Sequence, residues 1–155
     1  MPFCNIQMCA QKPRSKAYPL ELKTLGDHLR KKRLDLGLLQ KDVAQIVGTT
    51  TTSIMYWETN RISPSIEFIP KIINFLGYIP FDRISKMSLG EQIKTCRKIK
   101  GISQKELARQ FRFDPGTVAH WENDNRKPAV SYLTKLNAFL DPIISEISRD
   151  RNEHH

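Results

Sequence analysis

Residues 25–76 of this 155-residue chain align without a gap on residues 89–140, 64 positions downstream. The shared positions are Leu25/Leu89, Gly37/Gly101, Gln40/Gln104, Ala44/Ala108, Trp57/Trp121, Glu58/Glu122, Pro64/Pro128 and Phe75-Leu76/Phe139-Leu140. A period this long exceeds one turn of a solenoid, and two copies make no array. The repeat predicts two small domains of one kind, each near the lower size limit for folding alone. The expected boundaries are 1–19 for a flexible N-terminal tail, 20–80 and 81–148 for the two domains, and 149–155 for a disordered C-terminal tail.

With 39% hydrophobic and 26% charged residues, the chain has the composition of a globular protein. No apolar run approaches the ~20 residues of a membrane span, and the N-terminus has no continuous apolar stretch of the secretory kind. A cytoplasmic protein without a membrane partner is expected. The net charge is +9 and unevenly placed: +3 over residues 1–24, +2 over 25–80, +6 over 81–140 and −2 over 141–155. A basic second repeat attracts polyanions, and nucleic acid is the commonest of these inside a cell. Cys4, Cys9 and Cys96 cannot all pair, and the Cys4/Cys9 spacing has no companion His or Cys pair. Reduced thiols are expected, with no metal and no cofactor.

Helical spacing begins near Leu20, with Leu22, Leu25, Leu29 and Leu36 on one face and Arg30, Lys31 and Lys32 on the other. Gly37 stops this helix. Gln40–Val47 reads as a second helix with Val43, Ala44 and Val47 inward, broken at Gly48. Thr50 caps a third, Thr51–Glu58, with Ile54 and Trp57 facing the core, and a loop follows from Thr59 to Pro64. A fourth carries Phe68, Ile69, Ile72, Ile73 and Leu76 and ends at Gly77. In the second copy Ser103 and Glu106 form a capping box, and Asp114 caps the third helix with Pro115 at its first position. No strand is expected, so the fold class is all-α, with four or five helices per unit. Tyr78, Ile79, Phe81, Ile84 and Met87 make the connector too apolar for a free linker, so it should pack on one or both domains. Beyond Asp141-Pro142 the pattern weakens, leaving Ile143, Ile144 and Ile147 for at most a short extra helix.

Short helix, Gly-containing turn, short helix is the helix-turn-helix pattern. The chain resembles the lambda repressor/Cro-like (XRE-type) helix-turn-helix family in two tandem copies. The residues that carry the resemblance are Gly37 to Ala44, Gly48-Thr49-Thr50, Ile54, Trp57-Glu58, Pro64 and Phe75-Leu76. Gly101 to Ala108, Asp114 to Glu122 and Pro128 carry it in the second copy, and together the copies cover about two-thirds of the chain. The resemblance implies that the second helix of each pair enters the major groove of DNA. It places Thr51, Thr52, Ser53 and Tyr56 of the first copy at base edges, and Pro115, Gly116, Thr117 and His120 of the second. Gln40 and Gln104 are expected to bond phosphate and brace the recognition helix. Asn60 and Arg61, with Asn125, Arg126 and Lys127, lie in loops that meet the DNA backbone in the family. Arg33 with Glu58, and Arg97 with Glu122, are expected as structural ion pairs.

The expected function is a sequence-specific regulator of transcription, most simply a repressor of bacterial or phage type, binding double-stranded DNA near the nucleoid with two unlike recognition helices. No Gly-rich phosphate loop, carboxylate pair or nucleophile–base motif points to an enzyme. The alternative is an antitoxin-like or partner-recruiting module in which one copy no longer contacts DNA. Its homodimer or protein partner would meet the apolar connector or the helix holding Ile143, Ile144 and Ile147.

Overall fold

The computed structural model describes residues 18–81 and 84–153, with side chains as far as Arg149. Among these residues all regular structure is helical: α1 (Leu25–Asp35), α2 (Gln40–Val47), α3 (Thr51–Glu58), α4 (Ile69–Leu76), α5 (Leu89–Lys100), α6 (Gln104–Phe111), α7 (Pro115–Glu122) and α8 (Val130–Glu153). None of these helices is long and apolar enough to cross a membrane. The expected flexible tail lies outside the described residues up to residue 17, Cys4 and Cys9 included, as do residues 154–155. Tyr18 is described, and its hydroxyl donates to Asp35 on α1 at 2.7 Å.

Helix α1 begins at Leu25 rather than near Leu20, because Thr24 and Asp27 close a capping box there. The Asp27 amide donates to Thr24 Oγ1 at 3.1 Å, and the Thr24 amide to Asp27 Oδ2 at 2.9 Å. Leu20 and Leu22 precede the cap and are exposed, and Leu36 follows the last turn and is exposed too. Ser88 and Glu91 form the matching box on α5, and Ser103 and Glu106 the one expected on α6.

The first core joins Leu29, Val43, Ala44, Val47, Ile54, Trp57, Ile72 and Leu76. The second places Ile93, Leu107, Ala108, Val118, Trp121, Leu136 and Leu140 at the corresponding positions, with Phe111, where the first has Val47, packed against it. Each Trp ring leans on the aromatic that follows it in the same register, Phe68 at 5.2 Å and Tyr132 at 5.5 Å between centroids. The second core is larger. It adds Ile84, Cys96, Ile99, Phe113, Phe139, Ile143 and Ile147. Burial pushes the Cys96 thiol up to about 11, against the opposing pull of Lys100, so it stays protonated.

The C-terminal segment and the connector both lie against the cores. Helix α8 does not stop at Pro142 but runs through it to Glu153. The carbonyl that Pro142 leaves unbonded is that of Ala138. Both residues are exposed, so water can satisfy it. Ile143 and Ile147 continue the spacing of Leu136 and Leu140 and are buried in the second core. The connector is likewise absorbed: Tyr78 packs on the first core, and Ile79, Phe81, Ile84 and Met87 on the second.

The two units also touch directly. Helix α4 lies against α5, and Ile73 of α4 packs on the second core rather than the first. Gly101, which ends α5, faces Pro70 so closely that a Cβ there would stand 2.6 Å from Pro70 Cγ. Gly37, its counterpart on α1, has nothing within 4 Å of the same point. Both glycines adopt the left-handed conformation, with φ of +68° and +66°. Gly37→Ala should therefore cost only the left-handed penalty, roughly 1–2 kcal/mol. Gly101→Ala should cost measurably more by chemical denaturation. Equal losses would mean that Pro70 yields freely and the seam is not close-packed.

Candidate nucleic-acid interface

Helices α2–α3 and α6–α7 are the two helix-turn-helix pairs. At the start of α3, Thr50 Oγ1 accepts from the Ser53 amide at 3.1 Å and shares a hydrogen bond with Ser53 Oγ at 2.9 Å. Ser53 is thus tied into the cap. Thr51 and Thr52 are exposed and Tyr56 is half-buried. Met55 and Thr59 lie on the same exposed face, at helical spacing from Thr51, Thr52 and Tyr56. The sequence reading passed over both, although the 3.6-residue period points to them. Thr59 Oγ1 donates back to the Met55 carbonyl at 2.7 Å.

Helix α7 presents Pro115, Gly116 and His120, with Thr117 half-buried behind them. The Thr117 amide donates to the capping Asp114 carboxylate at 3.2 Å. Asn123, at the place of Thr59, is exposed and is a further polar group on this face that the sequence reading missed. The second face thus carries fewer hydrogen-bonding side chains near its N-terminus than the first.

Both recognition helices are held by the same buried cluster. Arg33 donates from Nε to Glu58 Oε1 at 2.6 Å and from a terminal nitrogen to Oε2 at 2.8 Å, while its other terminal nitrogen bonds the Leu38 carbonyl at 3.1 Å. Arg97 repeats this with Glu122 at 2.6 and 3.0 Å and with the Ile102 carbonyl at 2.9 Å. Gln40 and Gln104 add a donor to the same carboxylates, at 3.0 and 2.8 Å. A carboxylate accepts only, so each amide must turn its nitrogen inward. One N–H then remains on each Gln, beside the exposed amides that open α2 and α6. Each Gln thereby ties the start of α2 or α6 to the end of the recognition helix. The structural pairs Arg33–Glu58 and Arg97–Glu122 form as bidentate forks.

A second fastening acts at the same C-terminal end of each recognition helix. A Cβ on Gly26 would fall inside the Trp57 carbonyl oxygen, and one on Gly90 inside that of Trp121. Only glycine lets α1 and α5 come that close. Asn60 closes the contact with a left-handed φ of 56°. Its Oδ1 accepts from Thr24 Oγ1 at 2.7 Å, and its Nδ2 donates to Asp27 Oδ1 at 3.0 Å. Burial raises the Asp27 carboxyl, but hydrogen bonds from Thr24, Asn60 and two backbone amides outweigh it and hold its pKa below the ordinary value.

Asn60, expected at the DNA backbone, is also a clasp between α1 and the end of α3. Its counterpart is Asp124, also at φ 56°, which accepts from Ser88 Oγ at 2.7 Å. The loops consequently register as Arg61/Asn125, Ile62/Arg126 and Ser63/Lys127, all exposed. The surplus charge of the second copy follows the same rim: Arg109, Arg112, Arg126 and Lys127 stand where the first has Gln45, Gly48, Ile62 and Ser63. The first copy instead exposes apolar side chains at Leu36, Leu39, Ile46 and Ile62. Among the described residues no group of three His, Cys, Asp or Glu side chains is placed to hold a metal ion.

The cluster and the clasp make separate predictions. Glu58→Gln or Glu122→Gln leaves a buried guanidinium without its counter-charge and should cost ~3–5 kcal/mol in denaturant titration. Asp27, with its lowered folded pKa, stabilises the first unit above the ordinary carboxylate range, and that contribution is lost as pH falls through the folded pKa. The stability gap between the wild type and Asp27→Asn should accordingly narrow on acidification below about pH 4. A gap independent of pH would show that the clasp does not depend on the charge.

The sequence matches the helix-turn-helix family twice, over residues 29–84 and 93–143. These spans contain both Arg–Glu–Gln clusters and both recognition helices. No curated protein and no solved structure gives a significant match to the chain. With both matches in the register of the internal repeat, the chain belongs to the XRE/lambda repressor-like helix-turn-helix family of DNA-binding regulators, as two tandem copies.

Proposed function

We propose that this protein represses transcription by binding double-stranded DNA sequence-specifically in the bacterial cytoplasm, each copy contributing a different recognition helix. The carrying observation is the contrast between an identical scaffold and unlike outer faces. The Arg–Glu–Gln cluster holds α3 and α7 in the same way, while Thr51, Thr52, Met55 and Tyr56 stand opposite Pro115, Gly116, Ala119 and His120. Hydroxyls and methyls of the first face suit base edges and the thymine methyl. The second face has fewer such groups but a more basic rim, which suits phosphate contact. Occupying a site is enough to exclude other proteins from it, so repression needs no further surface.

One observation favours a second reading. Leu36, Leu39 and Ile62 lie exposed on the rim of the first copy, where the second has Lys100, Ser103 and Arg126. An apolar rim fits a protein partner better than phosphate. On this reading the second copy holds DNA and the first recruits a partner.

Binding-site selection from random duplexes separates the two. Two unlike half-sites are expected. A single half-site would favour the second reading, and a clean palindrome would sink the use of both helices by one chain. Within a selected site, Thr52→Ala should relax preference at one base step by about 1–3 kcal/mol. Arg126→Ala should weaken binding to all sequences alike and lower the salt slope by about 1.

A further inference from the structure

The copies differ most where one rests on the other. Ile99 of α5 is buried in the second core, whereas Asp35, at the same position of α1, is exposed and bonded to Tyr18 and Lys31. Ile73 of α4 packs across the seam, whereas Asn137, at the same position of α8, is exposed. Pro70 abuts Gly101, whereas its counterpart Thr134 is exposed. All three positions are apolar at the seam, and their repeat partners on the outer faces are polar. Connector residues Ile79, Phe81 and Ile84 extend the same apolar contact. A flexible tether buries no such surface.

We infer that this seam makes the two units one rigid body, so that a single chain recognises a duplex whose two unlike half-sites stand at one fixed spacing and phase. The DNA part of this inference rests on the function proposed above. The rigidity rests on packing alone. Fixed geometry means that the second contact follows the first without search by a linker, and that it is lost when the half-sites are moved.

The test uses the double variant Ile73→Asn/Ile99→Asp, each substitution taken from the position at which the other copy folds with that residue. Wild type should melt in one cooperative transition and should lose roughly 10²-fold in affinity when about five base pairs are inserted between the half-sites, because the insertion turns one half-site to the opposite side of the helix. The variant should melt in two transitions, keep native fluorescence from Trp57 and Trp121, and bind the original and spaced sites within a few-fold of each other. Wild type that melts in two transitions, or that tolerates the insertion as the variant does, overturns the inference. Failure of wild type to bind any duplex, with a single melting transition that splits in the variant, overturns the DNA reading and upholds the rigid seam.

Discussion

A guanidinium enclosed by protein sets the geometry of everything that α3 and α7 present outward. Arg33 and Arg97 each use a planar fork on a carboxylate and a third N–H on a turn carbonyl. One side chain thereby fixes the first helix, the turn after it and the end of the recognition helix relative to one another. A buried ion pair is not in itself a strong source of stability, because two charges must leave water to form it. Its value here is direction. A leucine in the same place would fill the volume but would accept several orientations of the recognition helix, whereas the bidentate fork accepts one. Gln40 and Gln104 extend the constraint to α2 and α6.

With the end of the helix held from inside, its outer face carries little structural duty. The first copy spends four consecutive threonines at the entrance to α3, and the second a proline and a glycine at the same point. Both keep a cap at the preceding residue, Thr50 or Asp114, so each eight-residue helix starts in register. The clasp of Gly26 and Gly90 on the Trp carbonyls ties the same end to α1 and α5. Upstream of these two fastenings, the outer residues of either helix are free to differ.

Much of this was legible in the sequence because it depends on local chemistry. Left-handed glycines, the Ser103–Glu106 box and the Asp114-Pro115 start each declare themselves within a few residues. Thr24 and Asp27 form the same kind of box, but leucines at helical spacing upstream obscured it. Pro142 was given too much weight: the spacing of Leu136, Leu140, Ile143 and Ile147 stays helical, and an exposed proline breaks one hydrogen bond that water replaces. The residue equivalent to Asn60 in the ungapped register is Asp124, a different residue type, so the clasp does not stand out as a shared position. Gly26 and Gly90 passed unnoticed because a close approach between distant helices leaves no local trace. For the same reason the seam was readable only as an apolar connector. Which residues of α4 and α5 meet is a property of the assembled pair.

The polarity of the outer faces gives the repeat a direction. The copies cannot trade places. Joined in the reverse order, the chain would set Asn137 and Thr134 against Asp35 and leave Ile99, Pro70 and Ile73 facing water. Three polar groups would be buried without the partners they now have, at a cost that an apolar seam does not carry. The chain is thus an ordered pair whose members are not interchangeable.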